Sequence, residues 1–183
     1  MRYTVSVPGA MFDRLQQDLF QNELEQAAFL YAEHRQEDKG IHLEAVEYYL
    51  VPSEGWEVQH EFHLELTDGE RARVLKRARD GGFALIDCHS HPPAVDDVEF
   101  SPSDVWGINE FAQYVRWKLG GRPYAAMVWG RISVDAVGWH SDFKAPSRIA
   151  EILVSGSHKR AIVPSYSFLR PRMRFSPRSG YER

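Results

Sequence analysis

Apolar and polar positions along this chain divide it into short segments of alternating strand and helix character. Residues 2–7 read as a short opening strand. Pro8 fits the first turn of a helix, where its missing N–H costs nothing. Phe12, Leu15 and Leu19 then recur at helical spacing. The small, apolar run Ala27-Ala28-Phe29-Leu30-Tyr31-Ala32 is short enough for a buried strand, and Gln36 to Gly40 punctuates it as a polar turn. Two more strands are expected at about 43–51 and 57–66. In the second, Val58, Phe62, Leu64 and Leu66 mostly alternate with polar residues. Thr67-Asp68-Gly69-Glu70 has the form of a capping box and opens a helix carrying Val74, Leu75 and Ala78, ended by Gly81-Gly82. Phe83 to His89 follows as a buried strand, and residues 92–100 form a Pro/Asp-rich loop. Ser101-Pro102-Ser103-Asp104 opens a long helix with Trp106, Phe111, Tyr114, Val115 and Leu119 along it. Residues 124–130 and 132–139 read as two strands around a Gly130-Arg131 turn.

The resulting order, β-α-β-β-β-α-β-α-β-β, predicts an α/β (α+β) protein: a mixed sheet with helices packed on it. The pattern weakens after Lys144. Residues 1–144 are therefore read as the domain and 145–183 as an extension. That extension is basic towards its end, with Arg160, Arg170, Arg172, Arg174 and Arg178.

Composition narrows the class. The chain has 183 residues, 43% of them hydrophobic, enough to bury a core. Its formal net charge of −4 gives no global attraction to nucleic acid or anionic lipid. No apolar run is long enough to span a bilayer, and the first residues do not form a secretory signal. Cys88 is the single cysteine, which excludes an internal disulfide framework. A cytoplasmic protein is the expectation.

The residues that carry chemistry are His89-Ser90-His91-Pro92 and Ser101-Pro102-Ser103-Asp104. Alternate strand residues share a face, so His89 and His91 present two imidazoles side by side. Asp104 lies in the first turn of the next helix, where the helix N-terminus favours its ionised form. Two imidazoles and one carboxylate make a tripod suited to Zn²⁺ with a fourth position open, the mark of a catalytic site. His-x-His alone also occurs by chance, and Ser101 with Asp104 is equally a helix cap that needs no metal. His60 and His63 have odd strand spacing and read as ordinary histidines. Cys88 reads as a buried, inert thiol. Asp87 shares the face of both histidines, and the plainer reading is a solvated residue rather than a partner to an imidazole.

Together these residues resemble the JAB/MPN (JAMM) zinc metallopeptidases, whose motif is an upstream Glu, then His-Ser/Thr-His-Pro, then Ser-x-x-Asp. The family's Glu precedes a small, apolar strand, and Glu25 stands in that place here, with Glu23 as the alternative if the register shifts. The resemblance implies a mixed, curved sheet flanked by helices (the JAB/MPN, cytidine-deaminase-like core). It also implies that Glu25 is the general base and that Ser101 stabilises the oxyanion. Alanines replace the family's glycines at 28 and 32, and the loop from Pro92 to Ser101 is longer than usual.

What the resemblance implies about function is an isopeptidase or peptidase, of a prokaryotic stand-alone type, that deconjugates or trims a ubiquitin-like protein. E1- and E2-like enzymes would be its associates. Processing of a sulfur-carrier protein C-terminus is the alternative substrate. A non-catalytic MPN scaffold is a further alternative, but such domains usually lack part of the metal motif. Nucleic-acid binding through the tail arginines has no reading motif behind it.

Overall fold

The computed structural model describes residues 2–38, 40–61, 63–94, 97–140, 145–156 and 159–165. The chain begins with β1 (Arg2–Pro8), α1 (Gly9–Leu19), β2 (Ala27–Glu37) and β3 (Gly40–Leu50). A short ribbon of β4 (Trp56–Gln59) and β5 (Leu64–Leu66) leads into α2 (Asp68–Asp80). Then come β6 (Ala84–Ser90), α3 (Pro102–Lys118), β7 (Tyr124–Trp129), β8 (Val134–Trp139), β9 (Ser147–Ser155) and β10 (Arg160–Ile162).

Seven of these strands close on themselves. Their order is β1-β3-β2-β6-β7-β8-β9, and β9 returns to pair in parallel with β1. β10 adds to β9 in antiparallel fashion. The expected fold class is therefore corrected. Instead of a mixed, curved α/β (α+β) sheet flanked by helices, the described residues are mainly β, 44% of them in strands, with a closed seven-stranded barrel and three α-helices. The physical cause is β9, which pairs with both β1 and β8 and so satisfies the backbone groups that an open sheet would leave at its edges. β9 lies beyond residue 144, so the barrel runs on to Ser155.

The stretch 57–66, expected as one strand, breaks into β4 and β5 around a turn in which the His60 N–H donates to the His63 carbonyl at 2.9 Å. Phe62 lies outside the described residues, as do Asp96 of the loop and Arg170, Arg172, Arg174 and Arg178.

Strand alternation sorts the apolar residues into two cores. One fills the barrel with residues from all seven strands, among them Tyr3, Leu30, Leu43, Ile86, Met127, Ala136 and Ile152, and α1 adds Phe12, Leu15 and Leu19 to it. The other lies outside the barrel wall. There Phe29, Tyr31, Leu85, Ala126, Val128 and Val137 meet Val74, Leu75 and Ala78 of α2 and Ile108, Ala112 and Val115 of α3. Arg122 ties the ends of these two helices together. Its guanidinium donates to the carbonyls of Ala78 and Phe83 at 2.8 and 3.0 Å and to that of Leu119 at 2.8 Å, satisfying groups that helix ends leave without partners. None of the described helices is long and apolar enough to cross a membrane.

Candidate metal centre

The site forms where β6 ends beneath the start of α3. Ile86 and Cys88 of β6 point into the barrel, and Leu85 packs outside it. Asp87 and His89 therefore face outwards with Leu85. His91 follows the strand, and its backbone N–H donates to the Trp129 carbonyl at 2.8 Å. Ser90, the residue between the histidines, clamps β6 to the start of β2. Its hydroxyl accepts the Gln26 N–H and its own N–H donates to the Gln26 carbonyl, both at 3.0 Å. That clamp carries the residue before Gln26 to the site. Sequence reasoning gave Ser90 no role, because its task depends on a strand 64 residues away.

Ser101 caps α3. Its hydroxyl accepts the Asp104 N–H at 3.1 Å, and the Asp104 carboxylate accepts the Ser101 N–H at 2.6 Å, a complete capping box. The cap and the tripod use the same carboxylate. Asp104 Oδ2 also lies 3.5 Å from His89 Nε2 and 3.3 Å from His91 Nε2. One donor atom from each of His89, His91 and Asp104 falls within 4.8 Å of the others. Tetrahedral donors about 2.1 Å from a zinc ion stand roughly 3.4 Å apart, so the two approaches to Asp104 match such a site. The donor chemistry fits as well. His89 is 8% exposed, and its Nε2 is buried with no hydrogen-bond partner, a costly state unless something binds there.

The electrostatics point the same way. Burial opposes protonation of His89, but Asp104, Asp87 and Glu25 outweigh it and raise its pKa. Burial alone would lift Asp104, yet the adjacent His89 and His91 hold it well below the usual carboxylate range.

Glu25 joins the tripod. It is 5% exposed, and its Oε1 lies 3.4 Å from His91 Nε2. Its backbone is held by the ribbon: the N–H donates to the His60 carbonyl at 3.2 Å, and the carbonyl accepts from Gln59 Nε2 at 2.9 Å. Burial raises its pKa to about 7, with His89 opposing the shift and Asp104 adding to it. Glu23 does not compete for this place. Its side chain is 83% exposed and faces Arg131.

The other singled-out residues fall as follows. Cys88 is buried inside the barrel, and burial pushes its thiol far above its ordinary range. Ser101 touches Ser103 Oγ at 2.8 Å. Asp87 is not a solvated residue beyond the core. It is partly buried in the wall of the same cavity as Glu25, His89 and Asp104. That cavity, of about 770 Å³, runs from the site between the ribbon, with Trp56, Leu64 and Leu66, and α3, with Trp106, Phe111 and Tyr114. It has the size and mixed lining of a ligand site.

Compared with known proteins, the chain finds no match among protein-family models and none among curated proteins.

Proposed function

We propose that this protein is a zinc-dependent peptidase or isopeptidase that cuts after the C-terminal tail of a ubiquitin-like protein. The observation that carries the reading is the buried Glu25 carboxyl, 3.4 Å from His91 Nε2 and beside the His89–His91–Asp104 tripod. A carboxylate in that place can take a proton from water and pass it on. His89, His91 and Asp104 would hold the ion. When bound, zinc supplies Lewis acidity and makes water acidic enough to attack at neutral pH.

The remaining steps belong to the chain. Glu25 takes a proton from water and returns it to the leaving amine. The Ser101 hydroxyl, fixed by the Asp104 N–H, donates to the carbonyl oxygen as charge grows there. The groove between the ribbon and α3 receives the substrate tail in extended form, and its apolar walls keep bulk water from the bond. The likeness to JAB/MPN metallopeptidases lies in these residues and their spacing, and it contributes the substrate class.

Two variants test the roles. Glu25→Gln is expected to keep its zinc while cleavage of a ubiquitin–lysine conjugate falls by roughly 10²–10⁴-fold. Asp104→Asn is expected to lose zinc and activity together, because it neutralises the anionic ligand. A linear C-terminal extension of a sulfur-carrier protein, assayed beside the conjugate, distinguishes the two substrate types. Full activity of Glu25→Gln on either substrate refutes the mechanism.

A further inference from the structure

The groove at the metal site continues beyond the ribbon, between α2 and α3. These helices run side by side in one direction. Asp68 and Asp104, at their starts, both line the large cavity. At their ends, Arg122 donates to the carbonyls of Arg79 at 3.4 Å and Leu119 at 2.8 Å. Asp68, Arg71 and Ala72 of α2 and Gly107, Phe111 and Tyr114 of α3 recur at helical spacing and face the furrow between the helices. Ala72 and Tyr114 also line a second cleft of about 250 Å³, with Leu75, Lys76, Arg79 and Lys118. The two hollows share these walls, so they form one continuous groove.

Charge changes sign along that groove. Around the metal site the carboxylates of Glu65, Asp68, Asp104 and Glu110 outnumber Arg71. In the far cleft, Lys76, Arg79 and Lys118 meet no carboxylate among the described residues that line it. Asp80 pairs with both Lys76 and Arg79 but is not part of the lining. Lys118 makes no ion pair among the described residues. Its ammonium lies 4.3 Å from the centre of the Trp117 ring and 5.3 Å from that of Tyr114. Such rings hold a cation in place without neutralising it, and an unneutralised basic cleft attracts an anionic group.

We propose that this basic cleft is a specificity site that takes an acidic side chain of the substrate tail, about six residues before the scissile bond. The inference rests on the reading that the groove receives the tail. Lys118 stands 14 positions after Asp104 on or at the end of α3, about 21 Å at the rise of a helix. An extended chain covers that span in about six residues. Lys118 supplies the charge that Asp80 leaves free, and Tyr114 and Ala72 form the passage to it.

The test uses the zinc-loaded protein and ubiquitin–lysine conjugates whose tails carry Asp or Lys at five, six or seven residues before the scissile bond. Wild type is expected to prefer Asp over Lys at one of these places by about 3- to 10-fold in kcat/KM, mostly through KM, as suits an exposed ion pair. The preference should shrink in 0.5 M salt, roughly the range where screening removes exposed pairs. Lys118→Ala should reduce it, and Lys118→Glu should abolish or reverse it. Each ratio compares two substrates on one enzyme sample, so a partial loss of folded protein cancels. Equal rates for Asp and Lys at all three places overturn the proposal. So does a preference that Lys118→Glu leaves unchanged, which would put its origin outside this cleft. Wild type that cuts none of the conjugates overturns the peptidase reading and this inference with it, a result distinct from cleavage without preference.

Discussion

Replacing Glu25 by Gln should make the metal-free protein more stable as well as inactive, and the gain should depend on pH. In the folded, metal-free chain, burial raises the Glu25 carboxyl from 4.5 to about 7. A folded-state pKa above the unfolded value means that the folded chain holds a proton the unfolded chain has released. Stability from this group is then fully present below pH 4.5 and is lost as pH rises to about 7. The whole gap corresponds to about 3 kcal/mol. The site opens on a groove, so solvent screening cuts this to roughly 1–3 kcal/mol. Gln keeps the shape and does not ionise. Its advantage over wild type should therefore stay below about 1 kcal/mol at pH 5 and reach its full value at pH 8. Urea unfolding of both proteins at the two pH values, with a chelator present, measures the difference directly. A difference that is the same at pH 5 and pH 8 would refute the argument, because Glu25 would then titrate alike in the folded and unfolded chains.

Two further outcomes are expected. Elemental analysis should find about one zinc per chain in wild type and little in a His89→Ala/His91→Ala variant, since the tripod supplies every ligand proposed here; undiminished zinc in the variant would move the site elsewhere. A chain ended after Ser165 should remain soluble and unfold cooperatively, because all described strands are retained. One ended after residue 144 should do neither, because the edges of β1 and β8 lose β9; circular dichroism with denaturant titration distinguishes the two.

Much of this architecture was legible in the sequence, and what was hidden has specific causes. β6 and β7 are buried on almost every residue, so they read as unbroken apolar runs. The cap motifs marked the starts of α2 and α3 because such caps are local in sequence, although only Ser101 and Asp104 close a full box; at α2 Thr67 accepts the Glu70 N–H while its own N–H donates to the Gly55 carbonyl. β2 was seen only in its first half, since the residues from Glu33 to Glu37 are exposed and polar. β9 was missed because the register shifts between Tyr3 and Thr4 of its partner strand. Its buried residues, Ile149, Ile152 and Val154, are therefore spaced by three and then by two, and the period of a strand is lost. Without β9 nothing in the sequence indicated closure. At the site, the three tripod residues were readable from strand alternation and helix capping. Glu25 came from resemblance alone, because its approach depends on the Ser90–Gln26 clamp and on the ribbon. Asp87 read as solvated because sequence does not say that α3 covers that face.

Barrel closure also dictates the order of events in folding. The first strand of the chain finds one of its two partners in β3, which is synthesised soon after it, and the other in β9, with nearly all the described chain between them. During synthesis one flank of β1 must wait for almost the entire protein to appear, open to mispairing with other chains. A ladder joining residues so distant in sequence also lowers the refolding rate. The hydrogen bonds linking β2 to β6 and β6 to β7 span shorter stretches of chain. His89, at the end of β6, therefore sits on pairings that do not involve β9.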